Sequence, residues 1–214
     1  MDILNFIFTV VLVTASGALA PGPLFFATVS HGTRSGAKGG LWVSVGHTLV
    51  EFPLVLLLAS GLLTAYSQPV VQLVVGVAGG VALLIFGALQ IRGALRAKFS
   101  DSGLGEVKLR SPLLLGLGLS GLNPFFIAWW LTVGMKLILE ALAIASLAGV
   151  MLMYIFHVWM DYAWLILIAH FARIGRNLVG TRGYRFLMAF FGAILICYGL
   201  TFLLEAFKLL LYLL

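Results

Sequence analysis

The chain has 214 residues, of which 62% are hydrophobic and only 9% charged, with a net charge of +6. Its mean hydropathy is +1.14. Soluble domains carry roughly 25% charge and about 45–50% apolar residues, so a water-soluble fold is excluded and the solvent is lipid. In lipid only helices and closed barrels satisfy every backbone polar group. Barrel strands alternate over about ten residues, whereas the apolar runs here are long and continuous. The expected class is an all-α integral membrane protein.

In chain order, residues 3–33 carry no Asp, Glu, Lys or Arg, and 41–65 carry only Glu51. Residues 66–91 carry none, and Tyr66-Ser67-Gln68-Pro69 splits the long run in two. Residues 112–135 carry none, 141–172 carry only Asp161, and 186–204 carry none. A span needs about 20 apolar residues, so the reading is six transmembrane helices. Residues 1–20 end in Ala18-Leu19-Ala20, like a signal-peptide cleavage site. The start has Asp2 and no basic residue, and Pro21 would follow the cut, so helix 1 is read as retained.

Eleven of the thirteen basic residues fall in the loops after helices 1, 3 and 5, and only Lys136 and Lys208 lie on the other side. The positive-inside rule puts those loops in the cytoplasm and both termini outside, in the plasma membrane. Topology accounts for the basic pI without nucleic acid, since the loops lack interleaved aromatics. Cys197 is the single cysteine, so no disulfide forms within the chain.

The two halves resemble each other. Gly22-Pro23-Leu24-Phe25-Phe26-Ala27 aligns with Asn123-Pro124-Phe125-Phe126-Ile127-Ala128, and His47…Glu51 with His157…Asp161. The segment from Gly80 to Gly87 aligns with that from Gly192 to Gly199. Three helices per half is an odd number, so the second half enters from the opposite side. The expected organisation is two inverted three-helix repeats, 1–91 and 112–214, joined by a basic linker at 92–111, with helices 1 and 4 broken.

The breaks and the acids are the candidate site. Pro21-Gly22-Pro23 and Asn123-Pro124 interrupt their helices. Each second half-helix offers free N–H groups and a positive dipole end suited to a substrate carboxylate. The alternative is a kink that only aids packing. Glu51 and Asp161 are single acids in apolar runs, costing about 2.5–3.5 kcal/mol each on insertion scales. Each has a His one helical turn before it, His47 and His157. The acids bind a substrate ammonium, or exchange protons with the His residues, or merely satisfy those His residues. A fourth option makes His47, Glu51, His157 and Asp161 a ligand set for a divalent metal. Gly76, Gly79, Gly80, Gly87, Gly116, Gly118 and Gly121 read as helix-packing positions. Trp129 and Trp130 either wall a pocket or face lipid. Trp42 reads as an interfacial anchor, His31 and His170 as solvated, and Asn177 and Arg182 as ordinary loop residues. There is no phosphate loop, nucleophile elbow or soluble metal motif, so neither an enzyme nor a bound cofactor is expected.

These residues resemble the lysine exporter (LysE-type) translocator family over essentially the whole chain. That family has six spans, a Pro-Gly-Pro in helix 1 followed by spaced glycines, and an Asn-Pro in helix 4. Here these are Pro21-Gly22-Pro23, then Gly32, Gly36, Gly39, Gly46 and Gly61, and Asn123-Pro124. Many members follow Asn-Pro with Lys where this chain has Phe125. Asn123-Pro124-Phe125-Phe126, Trp129-Trp130 and the His–acid pairs look like an archaeal-type branch. The resemblance implies export of amino acids or derivatives, driven by the proton gradient. The wider superfamily includes metal-ion exporters, so a divalent-metal exporter is the alternative. Expected partners are a small-molecule amino acid and the bilayer, with a homo-oligomer left open.

Overall fold

The structure is a computed structural model that describes residues 3–19, 22–62, 64–65, 67–96, 111–174 and 181–213. Pro21, most of the expected linker and Asn177 lie outside the described residues. Within them the chain forms seven α-helices and no strand. They are α1 (Ile3–Ala18), α2 (Pro23–Leu62), α3 (Pro69–Arg96), α4 (Pro112–Gly121), α5 (Pro124–Trp129), α6 (Met135–Arg173) and α7 (Thr181–Leu213). A π-helical turn, Trp130–Gly134, joins α5 to α6. Four stretches are long and apolar enough to cross a membrane: Pro23–Leu62, Pro69–Gly93, Phe125–Arg173 and Ala189–Leu213. α1 and α4 are shorter apolar helices.

The 40 residues of α2 would be about 60 Å long if straight, twice the hydrocarbon core. They are not straight. Gly36 has φ 58° and ψ −150°, a region essentially reserved for glycine. Gly32 and Gly40, on either side of that bend, both lie against the last turns of α6. A Cβ on Gly32 would sit 2.6 Å from Ala169 Cα, and one on Gly40 would sit 2.7 Å from Ile166 Cα. α6 bends likewise at Ala145 and Ser146, the latter with φ 52° and ψ −140°. Gly149 there meets the carbonyl of Ala141. Eight residues along a continuous helix are about 12 Å apart, so the chain has turned back. The sequence reading places Arg34 and Lys38 in a loop after helix 1. The structure keeps that stretch helical and turns at Gly36, because in lipid an intrahelical hydrogen bond is the cheapest partner for each N–H. α3 starts at Pro69, after the expected turn, and runs on to Arg96, into the expected linker.

α2 packs on α6 and α4, α3 on α7, and α1 on α6 and α7. The α3–α7 seam is built from glycines. A Cβ on Gly80 would lie 3.0 Å from Gly199 O, and one on Gly192 would lie 2.9 Å from Gly87 O. Backbones come this close only where side chains are absent, which is how membrane helices gain dispersion contact. The main apolar core joins Phe6 and Val10 of α1, Val55 and Ala59 of α2, and Leu137 and Met153 of α6. Many large apolar side chains face outward, among them Leu4, Phe8, Leu57, Phe190 and Leu204, as a lipid-facing surface requires.

Candidate functional site

Both helix breaks open onto one cavity of about 520 Å³. Gly22 and Pro23 line it from the first break, and Asn123 and Phe125 from the second. Proline at the first helical position loses no hydrogen bond, since that N–H has no intrahelical partner anyway. α5 begins this way at Pro124, with Asn123 Oδ1 accepting from Phe125 N at 3.0 Å. His47, Glu51, His157 and Asp161 line the same cavity, and no lysine or arginine is among its described lining residues.

Glu51 is 1% exposed, and its carboxylate is surrounded by donors. Oε1 lies 3.0 Å from His157 Nε2, 3.2 Å from His47 Nε2 and 3.2 Å from Trp130 Nε1. Oε2 accepts from the Tyr154 hydroxyl at 3.2 Å. An ionised carboxylate out of water needs such a shell to remain charged. The π-helical turn starts at Trp130 and helps set its indole on Glu51, and Gly134 leaves room for the ring: a Cβ there would lie 2.9 Å from Trp130 Cδ2. Such turns recur at functional sites.

Asp161 is the opposite case. Its Oδ2 is buried with no hydrogen-bond partner, and His157 Nε2 is 3.6 Å away. His157 therefore hydrogen-bonds across to α2 and stands only at ion-pair distance from the acid on its own helix. The face-to-face approach of the two His–acid helices, which spacing alone leaves open, is present.

Two hydroxyls complete the cluster. Thr14 Oγ1 of α1 is 2.8 Å from His157 Nδ1, and Ser120 Oγ of α4 is 2.6 Å from His47 Nδ1. Each His is thus held by a hydroxyl from the short helix that precedes a break in the other half of the chain. Ser120 Oγ also lies 2.7 Å from Gly116 O. Its hydroxyl can donate to His47 Nδ1, leaving that ring with one proton. It can instead turn to Gly116 O and accept from an Nδ1–H, leaving the ring with two. His47 can thus gain or lose a proton without leaving either nitrogen unpartnered.

Sequence reasoning missed Thr14, Ser120, Tyr154 and Trp164. Nothing in their spacing distinguishes them from packing residues; only the hydroxyls' position just ahead of each break is a usable signal. Trp130 proves buried on the acid and Trp129 lines the cavity, whereas Trp42 is exposed. His31 is half-buried and His170 exposed. Three of the four His–acid residues, His47, Glu51 and Asp161, offer ligand atoms within 4.8 Å of one another.

Long apolar helices, with two chain breaks between helices facing a shared cavity that holds buried acids, fit a multi-pass membrane transporter. The sequence profile of the LysE type translocator family matches residues 15–206, and the chain belongs to that family. The family's members are transporters, not enzymes. No curated protein and no solved structure matches the chain.

Proposed function

We propose that the chain is a secondary active exporter of amino acids or their derivatives, working across the cytoplasmic membrane and coupled to the proton gradient. The observation that carries this reading is the shared cavity, in which both helix breaks and the four His and acid side chains meet. Six spans in two inverted halves, 1–91 and 112–214, with both termini outside, account for its pseudo-symmetry. Exchanging Gly80 for Gly192 and Gly87 for Gly199 turns the first α3–α7 contact into the second. The bends at Gly36 and Ser146 have nearly the same φ and ψ. The crossed pairs Thr14–His157 and Ser120–His47 follow the same exchange of halves. The finer likeness to an archaeal-type branch rests on Phe125, Phe126 and the two tryptophans that follow.

Transport in this reading alternates about the cavity. The cavity walls continue along Leu89, Gln90 and Gly93 of α3, toward the basic end of that helix, while the apolar core closes the opposite end. A substrate entering from the basic side meets Asp161 and the free N–H groups at the start of α2. Glu51, His47 and His157 carry the proton, with the Ser120 hydroxyl following the charge on His47. A second reading makes a divalent metal ion the cargo, supported by the clustered ligand atoms of His47, Glu51 and Asp161.

The test is release from phosphatidylethanolamine–phosphatidylglycerol proteoliposomes loaded with mixed amino acids and divalent metals, with and without an imposed pH gradient. Gradient-driven loss of particular amino acids, abolished by Glu51→Gln, is the expected result. Release of metal alone moves the four residues into a coordination shell. Release that ignores the gradient refutes proton coupling.

A further inference from the structure

The two acids differ in a way that identifies the substrate. Glu51 has four donors already, so a substrate ammonium must displace one of them to reach it. Asp161 Oδ2 has no hydrogen-bond donor, with His157 Nε2 only at an ion-pair distance of 3.6 Å, and the indole Nε1–H of Trp164 has no acceptor. Both atoms are buried and belong to residues lining the cavity. They sit three residues apart on α6, hence one turn apart on the same face. A buried acceptor and a buried donor, each without a hydrogen-bond partner on the same helix face, each cost about 1–3 kcal/mol until a partner arrives. One needs a donor and the other an acceptor.

We propose that Asp161 and Trp164 form the head-group subsite for a zwitterionic α-amino acid, and that the preferred substrate carries one large apolar or aromatic side chain. The ammonium donates to Asp161 Oδ2, and the adjacent carboxylate accepts from Trp164 Nε1. Phe25, Phe86, Phe126, Trp129 and Leu195 give the cavity a large apolar wall, beside the polar Thr14, Ser16, Gln90 and Asn123. Phe25 stacks on Trp164, with ring centroids 6.1 Å apart and planes 25° apart, which continues the head-group site into an aromatic wall. A basic side chain brings a second ammonium into this space. The other lining carboxylate is occupied, so that charge stays unpaired, at a large cost out of water. Lysine is therefore disfavoured by the walls that favour phenylalanine. This assignment deepens the exporter reading and rests on it for the cavity's being a transport site.

The experiment is isothermal titration of the purified full chain with L-phenylalanine, phenethylamine, 3-phenylpropionate and L-lysine, beside flux of the same solutes from proteoliposomes. Phenylalanine should bind tightest. Loss of either charge, or addition of the lysine ammonium, should weaken binding about tenfold or more, the size of one charge-assisted hydrogen bond. Asp161→Asn should weaken phenylalanine about tenfold. Trp164→Phe, which keeps the ring and removes the N–H, should weaken it severalfold and leave phenethylamine unchanged. That second variant keeps the test alive if the first fails to fold. Lysine binding as tightly as phenylalanine, wild-type affinity in both variants, or no binding by any probe overturns the subsite. Binding with the expected pattern but no flux upholds the subsite and defeats the exporter reading. Flux of other amino acids with no phenylalanine binding does the reverse.

Discussion

Removing the charge of Glu51 should destabilise the protein, and removing that of Asp161 should not. In Glu51→Gln the amide oxygen still faces His47, His157 and Trp130, which lie 3.0–3.2 Å from Oε1. The amide nitrogen takes the place of Oε2, where the Tyr154 hydroxyl can turn round and accept. The Tyr154 O–H then loses the acceptor it had, and three hydrogen bonds fall from the charge-assisted range, about 1.5–3 kcal/mol, to the neutral range, about 0.5–1.5. The expected loss is about 2–4 kcal/mol. Glu51→Ala strands four buried donors and leaves a void, and should cost more than 4 kcal/mol. Asp161 Oδ2 has no hydrogen-bond partner to lose, only a 3.6 Å approach to His157, so Asp161→Asn should change stability by under about 1 kcal/mol, in the stabilising direction, because a neutral amide is cheaper to bury than a carboxylate. Thermal unfolding of the detergent-solubilised protein, followed by tryptophan emission, reads the order directly. Asp161→Asn should melt at or slightly above the wild type, Glu51→Gln roughly 5 °C or more below it, and Glu51→Ala lower still. If Glu51→Gln melts with the wild type while Asp161→Asn melts well below it, the donor shell around Glu51 has been assigned wrongly.

The bends offer a matched pair of tests. Gly36→Ala should cost about 1–3 kcal/mol, because φ 58° strains any Cβ and that Cβ would fall 2.6 Å from Arg173 Cδ. Ser146→Gly should stabilise by about 1 kcal/mol by relieving the same strain at φ 52°. Equal melting temperatures for both variants and the wild type would show that neither bend is strained. Ser120→Ala should slow gradient-driven flux and alter its pH profile, while Ser120→Thr restores both; an unchanged profile removes the hydroxyl from the proton path. Gly87→Leu should separate α3 from α7, since even a Cβ there would lie 2.6 Å from Gly192 O. The readout is protease sensitivity of the two helices, and wild-type resistance would refute the glycine seam.

The class of the fold was legible because lipid leaves so few options. A chain that is 62% hydrophobic must satisfy its backbone within helices, and Pro-Gly-Pro and Asn-Pro mark where it does not. The His–acid pairs were legible because ionisable groups are rare in apolar runs. What could not be read was partnership. His157 hydrogen-bonds across to Glu51 at 3.0 Å and stands farther, at 3.6 Å, from Asp161 on its own helix, and i,i+4 spacing cannot foretell that. The π-helical turn at Trp130 is invisible to a 3.6-residue period, and with it the burial of that indole. The sharp bends were hidden for a different reason. Arg34 and Lys38 look like loop residues, yet the chain stays helical through both and turns on Gly36 alone. Thr14 and Ser120 became visible only when the two halves were brought together, since each acts on the half to which it does not belong.

The tryptophans also give the molecule an optical signal of its own. Of the five in the chain, Trp129, Trp130 and Trp164 line the cavity, while Trp42 and Trp159 are 44% and 51% exposed on the outer surface. Two of the inner indoles stand beside His157, with ring centroids 5.0 and 5.7 Å away, close enough for a charged imidazole to quench them. Brominated lipid tails would darken the outer pair and spare the inner three. The emission that remains then reports proton arrival and solute entry at the centre of the protein, with no dye attached and no residue changed.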